Sequence, residues 1–376
     1  MKTIMAMIVS VAFALAAPPV AAQQRPVMLG VIQSLSGPNA PYGTAIRDGL
    51  DLAAAEINAA GGVLGGRRLH LIIEDSGGDP ARAARAARRL IEGYRVPLII
   101  GPTLSTEMFL AGPIADARRI PIISSSNTAL GITDLGPYVF RTALPAVDVI
   151  PATLRTTQQR FGIETAAVMY GTDDAFTRSE YEVIRGSLGR LGIEILATET
   201  FHSRDTDFSA QLNRIKALDL DAIVVSALLE AAARILVQAR ELGIPPSVRF
   251  IGGDGFNSPR LAEIAGAAAD GVLVGSPWFI GDPNPINQRF VAAYRAAYDR
   301  DPDQFAAQAY DTLHIVAAAI DLAGSTDGDA LRTVLMQIRH EGVVGPFWFS
   351  PTRDPGTAEG VVVLTIQDGR FTTALE

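Results

Sequence analysis

Short apolar segments alternate with longer amphipathic segments from residue 27 onward, at intervals of roughly 25 to 30 residues. The apolar segments carry Val, Ile and Leu at successive positions, which is typical of parallel strands that helices cover on both faces. The predicted strands are Val27–Leu35, Leu69–Asp75, Val96–Gly101, Ile120–Ser124, Thr165–Tyr170, Glu194–Thr200, Ala222–Ser226, Arg249–Asp254, Gly271–Val274 and Val361–Gln367. The alternation predicts an α/β fold with doubly wound parallel sheets.

The segment 37–62 predicts how a strand leads into a helix. Its Gly- and Pro-rich start forces a loop, because Pro fixes φ and Gly accepts turn geometry. Ile46, Leu50 and Ile57 then recur at helical spacing. A loop of ligand size therefore precedes a helix whose N-terminus points into it. Further predicted helices are Asp79–Glu92, Pro285–Asp299 and Gln304–Leu322.

The alternation runs twice, once before and once after about residue 145. A chain of 376 residues is also too long for one ordinary hydrophobic core. No long linker separates the two halves. We therefore expect two α/β lobes joined by several short connections.

The N-terminus has the pattern of a secretory signal peptide, residues 1–22. Lys2 supplies a positive charge, 4–17 is apolar, and Val20-Ala21-Ala22 has the small residues of a cleavage site. An anchor that is never cleaved is the alternative. The chain has no Cys, which excludes a lipid-modified cysteine, a disulfide and a thiolate metal site. We expect a periplasmic protein.

The charge and the motifs indicate a binding protein without a cofactor or metal. The net charge of −8 argues against nucleic acid as a partner. The sequence has no G-x-S-x-G elbow, no phosphate-binding P-loop and no H-E-x-x-H motif. The four histidines lack ligand spacing: His70, His202, His314 and His340. An enzymatic site assembled only in three dimensions remains the alternative.

Two neighbouring strand ends carry small hydrogen-bond donors. IIGPTLSTEMFLAGPIADARR (99–119) reads as a buried strand, a turn and a helix that begins near Ser105. A helix N-terminus offers free N–H groups to a carboxylate, although Ser105 could equally be only the N-cap residue. The next strand ends in Ser and Thr residues over 124–128. Because ligands of open α/β sheets lie at the carboxyl ends of strands, both clusters are candidate binding sites.

With these motifs the whole mature chain resembles the leucine/isoleucine/valine-binding family of periplasmic receptors. The resemblance implies that Ser105 and Thr128 hold the α-carboxylate of a ligand and that Ser126 adds a backbone contact. Tyr42, in PNAPYG, matches the family's pocket tyrosine. A turn residue that only caps the helix is the alternative for Tyr42.

The resemblance also implies a second-lobe wall. In RFIGGDGFNSP (249–259), Asp254 matches the carboxylate that pairs with a ligand's ammonium; the alternative is a solvated turn residue. Phe176 lies where the family places a pocket tyrosine, and Phe305 matches an apolar pocket position. Trp278, in GSPWF, is expected either to contact the ligand or to pack at the hinge.

For the architecture, the resemblance implies the type I periplasmic binding protein fold, with three crossovers near residues 142–148, 275–281 and 349–360. Lobe 1 would comprise 23–145 plus about 279–349, and lobe 2 about 146–278 plus 350–376, with the ligand cleft between them. The closed protein would deliver a small-molecule solute to an ABC permease and its ATPase in the inner membrane.

The sequence departs from the family's pattern at the ligand. Asp254 is shorter than the family's usual Glu, the second-lobe tyrosines are replaced by Ala175-Phe176 and Leu228, and the first-lobe disulfide is absent. The favoured ligand is a branched-chain or similar amino acid. The alternatives are an aromatic or other amine-free carboxylate, an amide, or a role as a periplasmic sensor.

Overall fold

The computed structural model describes residues 25–356 and 360–374, so the predicted signal peptide lies outside the described residues. The strands are β1 (Val27–Gln33), β2 (Leu69–Asp75), β3 (Ile99–Ile100), β4 (Ile122–Ser124), β5 (Val139–Arg141), β6 (Thr165–Gly171), β7 (Glu194–Phe201), β8 (Ala222–Ser226), β9 (Arg249–Gly252), β10 (Leu273–Ser276), β11 (His340–Glu341), β12 (Pro346–Phe347), β13 (Val362–Gln367) and β14 (Arg370–Thr373). The α-helices are α1 (Ala40–Ala59), α2 (Pro80–Arg88), α3 (Ser105–Ala117), α4 (Ala146–Phe161), α5 (Ala175–Leu191), α6 (Ser209–Lys216), α7 (Leu229–Glu241), α8 (Arg260–Ala265), α9 (Pro285–Tyr298), α10 (Gln304–Ala323) and α11 (Gly328–Leu335).

The first sheet is entirely parallel, in the order β2-β1-β3-β4-β5. Its central strands are buried on both faces: Val31, Ile100 and Ile123 are each 0% exposed. This burial explains their continuous apolar sequence. Because the strands are parallel, the loops that follow β1, β3 and β4 all leave the same edge of the sheet.

The second sheet has the order β14-β13-β10-β9-β8-β6-β7. Five of its strands are parallel, whereas β13 runs antiparallel to β10 and β14 antiparallel to β13. The predicted α/β class with two mainly parallel sheets is therefore confirmed. The antiparallel edge was not predicted. β14 folds back on β13 through a tight turn at Asp368-Gly369, where both residues have positive φ.

The chain passes between the two sheets three times. It leaves the first sheet after β5 and enters α4, which packs against α5 and β10 of the second unit. After β10 it returns to α9 and α10, which pack along α1, and finally β13 rejoins the second sheet. The exact residue boundaries given above for the two lobes stay predictions.

Local sequence explains how two helices are held. Asp79 is the N-cap of α2 and its Oδ1 accepts the N–H of Arg82 at 2.6 Å, as the Asp-Pro pair predicts. Gly49 lets α1 and α10 meet, because a Cβ there would lie 2.2 Å from the carbonyl oxygen of Ala306. This close approach brings the start of α10 beside the start of α1, where Phe305 contacts Tyr42 with ring centroids 4.9 Å apart.

Neither a membrane-spanning helix nor a metal site is found in the part of the chain that the structure describes. None of its helices combines the length and apolar character needed to cross a bilayer. Across the same residues, no group of three or more His, Asp and Glu side chains could hold a metal ion.

Candidate ligand-binding cleft

A small cavity lies between the two lobes, at the carboxyl ends of the strands of both sheets. The lining residues come from both lobes: Tyr42, Thr103, Leu104, Ser105, Ser126, Asp174, Phe176, Leu228, Asp254, Gly255 and Phe305. Six of the eight residues predicted for the site are among them. Thr128 and Trp278 are not.

The N-terminus of α3 forms the first-lobe wall. Leu104 is the N-cap residue, so Ser105 is the first residue of the helix. Glu107 reaches back to accept the N–H of Leu104 at 2.9 Å, and its own N–H donates to the carbonyl of Leu104 at 3.1 Å. The N–H groups of Ser105 and Thr106, in the first turn, have no acceptor within the helix. The Ser105 hydroxyl accepts the N–H of Ala129 at 3.3 Å and keeps its own hydrogen available to a ligand. This wall can therefore bind an anionic group without a cation.

The loop after β4 supplies the adjoining polar surface. Ser126 lines the cavity, and its hydroxyl donates to the carbonyl of Thr103 at 2.7 Å. The Ser126 N–H donates to Ser124 Oγ at 3.2 Å. Thr128 is buried behind this surface, and its Oγ1 has no hydrogen-bond partner among the described residues. Thr128 does not line the cavity, so its hydroxyl does not face a ligand there in this arrangement.

Tyr42 bridges the lobes across the cavity. Its hydroxyl donates to the carbonyl of Gly255 at 2.5 Å and accepts the N–H of Leu229 at 2.9 Å. Burial raises the pKa of Tyr42 well above its usual value, so the phenol stays neutral and can donate. The hydroxyl therefore both donates and accepts a hydrogen bond across the cleft. The ring of Tyr42, and not its oxygen, is left to contact a ligand.

Asp254 carries the acidic group of the second-lobe wall. It follows β9, and Gln304 at the start of α10 donates its Nε2–H to Asp254 Oδ1 at 2.7 Å. Burial raises the pKa of Asp254 to about 6, with hydrogen bonds from Gln304 and Asn257 opposing that shift. In the part of the chain that the structure describes, no Arg, Lys or His lines the cavity. The charge of Asp254 therefore lacks a cationic partner, and a ligand's ammonium would provide one.

Most of the remaining lining is apolar, with Thr103 and Asp174 as its polar members. Phe176, Leu228 and Phe305 are largely buried and face the cavity together with Leu104. Ala175 does not line the cavity; its N–H donates to Thr106 Oγ1 at 3.0 Å. This surface suits an apolar side chain more than a polar one.

Trp278 lies elsewhere. It lines a separate cavity, its indole Nε1–H donates to Asn287 Oδ1 at 2.7 Å, and its ring packs edge-on against Phe290 at 6.2 Å. Of the two roles considered for Trp278, this placement corresponds to packing beside the connection between β10 and α9, because its polar atom is already satisfied.

The sequence reasoning missed four lining residues: Thr103, Leu104, Asp174 and Gly255. Asp174 is the N-cap of α5, where its Oδ1 accepts the N–H of Thr177 at 3.0 Å. Its Oδ2 accepts a hydrogen bond from the hydroxyl of Thr106, which lies in the opposite lobe, at 2.5 Å. The Asp-x-x-Thr spacing before a helical pattern could have marked this cap. The sequence has no signal for the contact across the cleft.

Comparisons with known proteins agree with this geometry. The family model for the periplasmic binding protein matches residues 26–370. The Leucine-, isoleucine-, valine-, threonine-, and alanine-binding protein of Pseudomonas aeruginosa is 26% identical over 331 residues, which is 87% of each chain. These similarities extend across both lobes.

Two solved structures show the same fold. The branched-chain amino acid transporter substrate binding protein LivJ of Streptococcus pneumoniae, in complex with isoleucine, superposes with a TM-score of 0.85 at 29% identity, covering 93% of this chain and 98% of that one. An ABC transporter solute binding protein of Rhodopseudomonas palustris, in complex with 3,4-dihydroxy benzoic acid, gives 0.84 at 24% identity, covering 93% and 95%. The second likeness shows the fold alone.

The predicted resemblance and the type I fold are thereby confirmed. Proteins of this family are periplasmic solute-binding proteins and not enzymes, which also confirms the non-enzymatic prediction. With a family model that matches both lobes, this chain belongs to the periplasmic binding protein family.

Proposed function

We propose that this protein captures an α-amino acid with an apolar side chain in the periplasm and delivers it to an ABC permease. The observation that carries the proposal is the carboxylate of Asp254, which faces a cavity lined by no Arg, Lys or His among the described residues. A ligand's ammonium would pair with Asp254, and its carboxylate would lie against the N-terminus of α3 with Ser105, Ser126 and Thr128.

The apolar wall sets the preference among amino acids. Phe176, Leu228 and Phe305 leave no hydrogen-bonding group for a polar side chain, so a branched or aromatic side chain fits best. LivJ of Streptococcus pneumoniae, which is similar across both lobes, is in complex with isoleucine. That likeness supports an amino acid as the ligand class.

An amine-free aromatic acid is the second candidate, because the same wall would accept its ring. Such a ligand would leave Asp254 buried and unpaired, which costs several kcal/mol unless the carboxyl is protonated. The amino acid is therefore favoured because its ammonium can pair with Asp254. The aromatic acid is favoured only because its ring fits the apolar wall.

Location and delivery rest on the chain's processing signal and family. The predicted signal peptide, residues 1–22, supports export, and the family's ABC transporter relatives support a permease with its ATPase as the partner. The closed protein would be the form that binds the permease, because a ligand that contacts both lobes stabilises the closed arrangement.

A thermal-shift panel on residues 23–376 tests the ligand class. Leucine, isoleucine and phenylalanine are compared with isocaproate and hydrocinnamate, which lack the amine, and with leucinamide, which lacks the carboxylate. A ligand at one hundred times its Kd adds about 2.7 kcal/mol to the free energy of unfolding, which raises Tm by several degrees. We expect stabilisation by amino acids alone. Stabilisation by the amine-free acids would favour the second candidate.

The affinity for the amino acid should depend on pH through Asp254. Without ligand the pKa of this carboxyl is about 6, and pairing with an ammonium lowers it, so binding requires loss of a proton below pH 6. We expect the Kd for leucine, measured by calorimetry, to rise about tenfold per pH unit below about pH 6. Glu180, whose Oε1 accepts the N–H of Asp254, is neutral in this range because burial raises its pKa to about 8. A Kd that is constant from pH 7 to pH 5 would contradict the assignment.

A further inference from the structure

Glu180 is a buried acid that neither the ligand site nor any salt bridge explains. It lies on α5, is 1% exposed and does not line the cleft cavity. Across the described residues, no Arg, Lys or His lies within salt-bridge distance of it. A buried carboxylate without a cation is costly, so its hydrogen bonds must account for its presence.

Its two oxygens contact two different strand ends. The N–H of Asp254 donates to Glu180 Oε1 at 3.1 Å, and Ser226 Oγ, at the end of β8, lies 2.5 Å from Glu180 Oε2. The same Ser226 hydroxyl is 3.2 Å from the carbonyl oxygen of Thr177. A hydroxyl has one hydrogen, so it cannot donate to both acceptors.

A protonated Glu180 satisfies every one of these groups. The carboxyl O–H then donates to Ser226 Oγ, Ser226 donates to the carbonyl of Thr177, and the remaining Glu180 oxygen accepts the N–H of Asp254. Burial, the largest influence, raises the pKa of Glu180 to about 8, which agrees with a neutral carboxyl at pH 7. The network is therefore a chain of three hydrogen bonds that ends on the backbone of Asp254.

Gly253 makes the space for this carboxyl. A Cβ on Gly253 would lie 2.0 Å from Glu180 Oε2, closer than any real contact. The φ of Gly253 is −80°, a value that other residues adopt freely, so the backbone itself does not require glycine. The glycine before Asp254 therefore serves the packing of Glu180.

We propose that Glu180 is a positioning residue of the binding site, an inference that rests on the proposed function. Its neutral carboxyl holds the backbone of Asp254 at the end of β9, and so sets where the Asp254 carboxylate meets the ligand's ammonium. Glu180 itself touches no ligand.

The test compares Glu180→Gln with Glu180→Leu. A glutamine keeps the network, because its oxygen accepts the N–H of Asp254 and its amide donates to Ser226 Oγ, whereas leucine fills the volume without hydrogen bonds. Two quantities are measured: amide hydrogen exchange at Asp254 without ligand, and the Kd for leucine. In E180L we expect exchange at Asp254 to accelerate and the Kd to rise, each about tenfold. In E180Q both should stay within about twofold of the unaltered protein.

Gly253→Ala gives an independent variant that keeps the acid but displaces it. It should reproduce the faster exchange at Asp254, and the same alanine should have a smaller effect in a Glu180→Ala background, where the space is open. Gly253→Ala therefore still tests the proposal if E180L does not fold.

Two results would overturn the positioning role. Exchange at Asp254 that is unchanged in both E180L and G253A would show that Glu180 does not hold the backbone. An E180Q variant as impaired as E180L would show that an ionised carboxylate is needed. If the unaltered protein binds no amino acid, the proposed function fails separately, whereas exchange at Asp254 needs no ligand and still decides whether Glu180 holds this residue.

Discussion

Asp254→Asn should reduce the affinity for leucine by at least about 100-fold, because truncating one partner of a buried charge pair costs about 3 kcal/mol. Asparagine has nearly the same shape and can still accept the hydrogen bond from Gln304 through its oxygen. The fold and the contact between lobes should therefore persist. Calorimetry with leucine measures the loss, and circular dichroism with Tm checks the fold.

The matched control is Asp270→Asn, which makes the same charge change at an exposed position of the same lobe. We expect it to leave the Kd for leucine unchanged. Isocaproate supplies the second comparison: its weak binding should not fall in D254N, because it has no ammonium to lose a partner. An equal loss for leucine and isocaproate would contradict the role assigned to Asp254.

The strands were predictable from the sequence where they are buried on both faces. β8 has its predicted bounds, Ala222–Ser226, and is buried along its whole length, as its apolar run indicates. β2 also has its predicted bounds, Leu69–Asp75, although it is an edge strand that is only partly buried. β3 is shorter than predicted, Ile99–Ile100, since Gly101 adopts a φ of +113° that ends the strand. β5 and β14 were missed because three or four residues are too few to establish a periodicity.

The candidate site was predictable only where its residues follow strand ends. Ser105, Ser126 and Asp254 lie at the carboxyl ends of parallel strands, a position that the order of elements dictates. The contact of Gln304 with Asp254 joins residues of different lobes, and no local pattern indicates it. Glu180 lies in a helical segment with other polar residues, so the sequence pattern predicts that it is exposed to solvent. In the structure it is buried.

The contacts between lobes divide into two kinds with different consequences for binding. The proposed role of the Asp254 carboxylate is to recognise a charge; asparagine keeps its interlobe hydrogen bond with Gln304, so Asp254→Asn should affect only ligands that carry an ammonium. Tyr42 and Thr106 instead bond directly to the opposite lobe, Tyr42 to Gly255 and Leu229, and Thr106 to Asp174. These bonds stabilise the closed cleft whatever the ligand is, because they contain no ligand atom.

Tyr42→Phe should therefore weaken every ligand by a similar factor. In the closed cleft the variant leaves the carbonyl of Gly255 and the N–H of Leu229 without their partner, whereas in an open cleft both reach water. The closed form loses about 2 kcal/mol, which corresponds to about a 30-fold rise in Kd. Because phenylalanine keeps the ring contact with Phe305, the pocket wall itself is preserved.

Calorimetry with leucine, phenylalanine and the amine-free isocaproate measures the effect of Tyr42→Phe, and small-angle scattering at a fixed leucine concentration near the Kd of the unaltered protein measures the open fraction. Tyr94→Phe is the matched control, since Tyr94 is 47% exposed and belongs to the same lobe. It should change neither quantity. We expect Y42F to lose affinity for all ligands and D254N to lose affinity only for those with an ammonium. That difference would separate the contribution of cleft closure from that of charge recognition. Unchanged affinities in Y42F would instead mean that the bonds from Tyr42 to the second lobe contribute nothing to the closed state, and that the ligand alone holds the lobes together.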